Sequence, residues 1–275
     1  MTIGMNNLGK NGRIGNQMFQ YAGLVGIAKQ CGFDFRIPAD CDLPDGFEML
    51  HCGDRYGLIE GDEVELHESH EFCEELFNQC PNHVTLNGYF QTEKYFHNAD
   101  KLLRLDFRIK KSIQERVDYH FKEYLDQRPV SLCIRDFNPT FDYPGCDNNH
   151  WNLPMSYWDK AIERLGTDRV YIICSNSIEK YKNHFKGDNF IFNEVQDKQK
   201  QFFDLCLISK CCDYVISNST FSWWGAWLGR GHRHPDNEYP VGGRVLAPVP
   251  WYGPGLSHIT TDDLYPVGWE KIKCN

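Results

Sequence analysis

From Pro129 onward the sequence alternates short apolar runs with amphipathic stretches, and this alternation restricts the fold more than any other feature. The runs Val130–Ile134, Val170–Cys174, Phe190–Phe192, Tyr214–Ser217 and Val245–Ala247 read as strands. Helices are expected between them at about 155–165, 177–185, 198–211 and 220–228 from their apolar periodicity. Pro154 suits the first helical position of its helix and Gly166 its end. Apolar strands separated by helices predict a parallel sheet covered on both faces. Such sheets bind ligands at the carboxyl ends of their strands, where helix N-termini converge.

The first half follows a looser version of the same grammar. A strand is expected from Thr2 to Met5, then a turn carrying Gly9, Gly12 and Gly15, then a helix from about Asn16 to Gln30. Met18, Phe19, Ala22, Val25 and Gly26 form one stripe of that helix, and Gly32 is placed to end it. Phe33–Ile37 reads as the next strand. Residues 38–83 are acidic and read as irregular, with a short helix or two. Val84–Phe90 is expected as a strand, followed by two polar-faced helices, the second from Ser112 to Leu125. The domain boundary is expected at Gln127-Arg128-Pro129, giving domains 1–127 and 128–275.

The 275 residues suffice for a substantial core. A formal charge of −9 argues against a general polyanion binder, so no nucleic-acid partner is expected, but it leaves room for a local phosphate pocket. No apolar run reaches the roughly 18 residues of a membrane helix. The N-terminal residues lack the charged and apolar regions of a secretory signal, so a cytoplasmic location is expected. Twelve cysteines at irregular spacing are expected to be mostly free thiols. His67/His70 and His232/His234 lack companions at zinc spacing, so no metal is expected.

Three strand ends carry polar residues that a packed core does not need: Arg135-Asp136-Phe137-Asn138, Ser175-Asn176-Ser177, and Asn218-Ser219-Thr220-Phe221. Ser219 or Thr220 would be an ordinary helix N-cap. The same helix start, with free amides and hydroxyls, is also suited to a phosphate, onto which a neighbouring arginine can fork. Asn218-Ser219-Thr220 matches a glycosylation sequon, which carries no weight without a secretory route. The N-terminal glycines, spaced G-x-x-G-x-x-G, form neither a dinucleotide fingerprint nor a Walker loop.

Three longer segments carry a family resemblance: Gly12-Arg13-Ile14-Gly15-Asn16-Gln17-Met18-Phe19-Gln20-Tyr21-Ala22, Leu86 to Phe96, and Asn218 to Leu228. Together they resemble the α-1,2-fucosyltransferases of glycosyltransferase family 11. The resemblance implies an α/β, GT-B-like pair of Rossmann-type domains with parallel sheets. It also implies a GDP-fucose donor, a glycan acceptor, no cofactor or metal, and inversion at the anomeric carbon. The family's arginine motif, His-x-Arg-Arg-x-Asp/Asn, aligns with Cys133 to Asn138. Arg135 matches the arginine expected on the donor pyrophosphate, and Asn138 the terminal position. Cys133 stands where the family has the histidine that helps recognise the nucleotide, and Asp136 where it has a second arginine. Asp204 aligns with the residue that reads the guanine edge, and Ser219 and Thr220 with the hydroxyl pair near the β-phosphate. Ser175, Asn176, Asn218 and Phe221 complete the expected donor site, which Arg13 and Asn16 face from the N-terminal domain.

An inverting attack benefits from a carboxylate base near the acceptor hydroxyl. Asp142 and Asp136 are the candidates. The departures at Cys133 and Asp136 motivate two alternatives: a catalytically impaired relative that still binds glycan or nucleotide, and a transferase using another GDP-sugar. Residues 38–83 and 230–243 are expected to shape the acceptor cleft.

Overall fold

The computed structural model describes residues 1–61, 64–230 and 243–274. The chain divides into two compact units, Met1–Lys110 with Thr260–Pro266, and Lys111–Ile259 with Val267–Asn275.

In chain order the first unit holds β1 (Thr2–Gly4), α1 (Ile14–Cys31), β2 (Asp34–Arg36), α2 (Leu43–Gly46), β3 (Val64–His67), α3 (Glu74–Gln79), β4 (Val84–Asn87) and α4 (Asp100–Asp106). Its strands form a parallel sheet in the order β2-β1-β4-β3. Helix α1 is buried along most of its length, and Gly32 ends it as expected, with φ of 70°. The 38–83 stretch holds the two short helices expected of it, α2 and α3, and one element that was not expected, the edge strand β3. Strand β4 stops at Asn87, because Gly88 and Phe90 take positive φ values of 153° and 54°.

Two glycines let α1 approach the segment after β4. A Cβ on Gly23 would meet the Phe90 Cβ at 2.7 Å, and one on Gly26 would overlap the Tyr95 carbonyl oxygen. Where Tyr21 of α1 packs on Phe35 and Phe107, the Asp106 carboxylate is fully buried. It accepts hydrogen bonds from the Tyr21 hydroxyl at 2.6 Å and from the His51 and Cys52 amides at 2.5 and 3.0 Å. Burial and this carboxylate raise the Tyr21 hydroxyl well above the usual phenol range.

The second unit holds α5 (Lys111–Leu125), β5 (Val130–Ile134), α6 (Cys146–Asn149), α7 (Met155–Leu165), β6 (Tyr171–Ser175), α8 (Ile178–Tyr181), β7 (Phe190–Phe192), α9 (Lys200–Lys210), β8 (Asp213–Val215), α10 (Thr220–Arg230), β9 (Val245–Val249) and β10 (Glu270–Lys273). The first helix belongs here, upstream of the expected 127/128 division, because it packs on α9. Phe121 meets Phe203 edge-on at 6.2 Å, and Arg116 forks onto Asp197 at 2.6 and 3.0 Å.

All five expected strands of this half form, with small shifts, and β10 adds a sixth that the sequence reading lacked. They make one parallel sheet in the order β10-β9-β8-β5-β6-β7. Expected helix 177–185 is only the single turn α8, and Pro154 lies just before α7 rather than inside it. The core gathers Leu132, Tyr157, Trp158, Ile173 and Val215 between strands and helices. Among the described residues no helix is long and apolar enough to cross a membrane.

The Gly26 contact yields a stability test. Gly26→Ala should destabilise the protein by about 1–3 kcal/mol through overpacking against rigid backbone, read as a lowered thermal midpoint. Gly53→Ala, with open space around its Cβ position, tests only the cost of its positive φ and should have the smaller effect.

Candidate active site

Chain order and strand order diverge between β5 and β8. From β5 the chain proceeds outward through β6 and β7, then returns to place β8 on the other side of β5. Connections from these two central strands therefore leave a crevice at their carboxyl ends. Arg135 leaves β5 there, and Asn218-Ser219-Thr220 leads from β8 into α10.

Arg135 is 20% exposed and forms an ion pair with Asp142, which is 8% exposed. Its guanidinium also lies 5.1 Å from the centre of the Phe137 ring. The second Asp142 oxygen accepts the Asn138 amide at 3.0 Å, and the Asn138 side chain accepts the Thr140 amide at 2.9 Å. The loop thus folds back to aim one carboxylate at one arginine.

Asp136 serves a different group. Its buried carboxylate accepts from Lys180 at 3.0 and 3.1 Å and from the Tyr181 hydroxyl. Burial and that carboxylate push the Tyr181 hydroxyl above the ordinary phenol range. Its backbone N–H and C=O both bond the Asn176 side-chain amide, each at 2.8 Å, which staples the exits of β5 and β6 together. Both candidate bases are therefore held by cations, Asp142 by Arg135 and Asp136 by Lys180.

Asn218 makes a corresponding staple. Its amide donates to the carbonyls of Trp151 at 3.0 Å and Trp251 at 3.1 Å. With both amide hydrogens engaged in buried hydrogen bonds, Asn218 is not open to glycosylation. The Ser219 carbonyl accepts the Trp223 amide at 3.0 Å, starting α10, with Thr220 its first residue and Phe221 half-buried beside it. The tryptophans after Phe221 are core: Trp223 and Trp224 are fully buried, and Gly225 lies against Ile208 of α9.

Cys133 is buried, opposite Cys174 in the β5–β6 register. Burial pushes the Cys133 thiol up to about 12 and the Cys174 thiol well above its ordinary value. Asp204 on α9 accepts from Asn193 at 2.6 Å and from the Lys200 ammonium, while burial raises its pKa. Ser175 accepts the Ser177 amide at 3.0 Å. Cys133, Ser175 and Asp204 thus lie on β5, at the end of β6 and on α9. In the first unit, Arg13 precedes α1 in extended conformation, and Gln91 donates to Asn16 at 3.4 Å.

Several residues at the reversal were missed by sequence reasoning. The Asn152 amide bonds the Phe137 N–H at 2.7 Å and its carbonyl at 3.1 Å. The His150 ring stacks on Phe137 at 5.0 Å and meets Tyr252 at 5.5 Å. Burial first, then the Arg135 charge, hold its pKa below the ordinary imidazole value, with Asp142 opposing. The polar density of Asn148-Asn149-His150-Trp151-Asn152 was the available signal. The expected acceptor segment 230–243 falls largely outside the described residues. Among the described residues no three His, Cys, Asp or Glu side chains gather as a metal site.

Read outward from β5, the second sheet has the Rossmann order, and two parallel-sheet α/β units in one chain define a GT-B-like architecture. The profile of glycosyl transferase family 11 matches residues 72–233, and the chain belongs to that family. Among its curated relatives, the O-antigen biosynthesis glycosyltransferase WbnK of Escherichia coli is 30% identical over 170 residues, 58% of this chain and 55% of that protein. The chain thus aligns with little more than half of that relative. An α-1,2-colitosyltransferase of Escherichia coli is 26% identical over 75% of this chain and 68% of its own length. Galactoside α-(1,2)-fucosyltransferase 2 of Rattus norvegicus is 23% identical over 83% and 68%. At the level of fold alone, the chain is similar to fucosyltransferase NodZ from Bradyrhizobium, with TM-score 0.54, 11% identity, and coverage of 82% and 92%. POFUT1 in complex with GDP-fucose gives TM-score 0.54 and 11% identity over 89% and 97%.

Two measurements check these contacts. Asn176→Ala should cost about 1–3 kcal/mol, since it strands a buried backbone N–H and C=O, and should lower the thermal midpoint; Lys180→Met, removing a cation that is 59% exposed, should cost under about 1 kcal/mol. Thiol labelling of the native protein at pH 8 should spare the buried Cys133 and Cys174 and modify them only on unfolding.

Proposed function

We propose that the protein is an inverting, metal-independent transferase that moves fucose from GDP-fucose to a glycan hydroxyl, most simply making an α-1,2 link to a galactoside. The observation that carries this reading is the placement of Arg135 at the β5–β8 reversal, its guanidinium fixed by Asp142. Family membership and the relatives named as galactoside α-(1,2)-fucosyltransferases support the same substrates.

Departure of GDP leaves positive charge on the sugar ring and new negative charge on the β-phosphate. Groups aimed at that charge before it forms contribute most to the rate. A guanidinium has five N–H donors. Asp142 engages Nη2, which fixes the plane of the fork and leaves the other donors for the diphosphate. The amides opening α10, with the Ser219 and Thr220 hydroxyls, offer a second anion-binding element. We assign Asp142 the task of orienting Arg135, and Asp136 that of holding the loop through Lys180, Tyr181 and Asn176.

A second reading, transfer of a different GDP-linked sugar, is favoured by one observation, the relative named α-1,2-colitosyltransferase. A panel of GDP-sugars against galactoside acceptors separates the two: GDP-fucose should be the preferred donor by kcat/KM, and preference for another sugar would replace the first reading with the second. Arg135→Ala should lower transfer by about 10²–10³-fold with an unchanged circular dichroism spectrum. Arg135→Lys should recover little, because an ammonium cannot form the fork. Near-normal turnover in Arg135→Ala would remove the assigned role.

A further inference from the structure

His150 lies where the loops after three adjacent strands meet. Its ring stacks on Phe137 of the β5 loop and meets Tyr252 of the β9 loop. The next residue, Trp151, gives its carbonyl to Asn218 of the β8 loop. Asn149 accepts the Gly253 amide at 2.8 Å, so the β9 loop is tied to the same stretch of chain. The imidazole is therefore held by rings and by backbone on both sides. Among the described residues its Nδ1 is buried without a hydrogen-bond partner.

A neutral imidazole carries one N–H and one lone pair. Placing the proton on Nδ1 would bury an unpaired donor, a rare and costly arrangement. The proton is better placed on Nε2, with the lone pair at the buried nitrogen. Among the described residues the titratable and charged groups at the ring are Arg135, Asp142 and Tyr143 from the β5 loop and Tyr252 from the β9 loop. Arg135 is the one fixed cation among them, and together with burial it keeps the ring uncharged near neutral pH.

We propose that His150 is a ligand-binding residue of the Arg135 site, its Nε2–H a pre-positioned, uncharged donor to a phosphate oxygen of the bound diphosphate. The inference rests on the diphosphate reading above and deepens it. An uncharged donor beside an arginine adds a directed hydrogen bond without repelling the cation. Being uncharged, it is also attracted to Asp142 less strongly than a lysine would be.

The test measures GDP and inorganic pyrophosphate binding by calorimetry for wild type, His150→Phe and His150→Gln, each checked for fold by circular dichroism. His150→Phe keeps the stack on Phe137 and loses the donor, and should weaken both probes about 10- to 100-fold, the worth of a hydrogen bond to a charged group. His150→Gln places an amide N–H near the Nε2 position and should restore most of the loss. The wild-type advantage over His150→Phe should be constant at pH values above the ordinary imidazole range. It should grow on acidification below the ordinary imidazole range, as the ring gains charge beside the phosphate. The glutamine variant should not show that growth, and a merely structural role would not produce it. Equal affinities for wild type and His150→Phe would overturn the proposal. Pyrophosphate binding without GDP binding would instead overturn the nucleotide reading and leave His150 to be judged on pyrophosphate. Absence of binding to both probes would overturn both.

Discussion

Where the strands of the second sheet end, their ladder hydrogen bonds end too, and side-chain amides take over. Asn176 bonds both backbone groups of Asp136, Asn152 both of Phe137, and Asn218 the carbonyls of Trp151 and Trp251. A primary amide can donate and accept in one plane, so it imitates a strand partner where no strand continues. A long loop would otherwise leave these groups to water and its path undefined. The fixed direction of Arg135 depends on this, since Asp142 could not hold a guanidinium whose own backbone wandered.

The arrangement separates two carboxylates that are close in sequence. Asp136 and Asp142 leave the same strand, yet one turns under the sheet edge to Lys180 and Tyr181 while the other returns to Arg135. Asp136, where the resemblance implies a second arginine, accordingly joins the scaffold through Lys180, Tyr181 and Asn176. Cys133 is likewise absorbed, facing Cys174 in a row of buried thiols. Both departures from the family motif thus have packing environments of their own.

The sheet of the second unit was legible because its central strands are buried on both faces and leave unbroken apolar runs. The edges were not. Strand β10, Glu270–Lys273, and strand β3, Val64–His67, are short and carry charged residues, and only pairing with a neighbour makes them strands. Helix periodicity located α7, α9 and α10 but overran α8, whose continuation bends away after one turn. Of the candidate site, the strand-end residues could be read, since polar residues at the end of an apolar run have little structural reason to be there. His150 could not, because its setting is made by rings at 137 and 252, brought together only by the fold.

Helix α1 carries the N-terminal signature, and its Gly23–Gly26 face meets Phe90, Tyr95 and the start of Phe96 within the middle signature. The contact is backbone against backbone at Gly26, which leaves nothing to trim if either side grows. A methyl gained at position 26 would require the 95–96 turn to move, and no substitution at 95 could make that space, since the obstructing atom is a carbonyl oxygen that every residue shares. The side chains around this contact have room to adjust, whereas position 26 accepts no side chain unless the backbone at 95–96 moves.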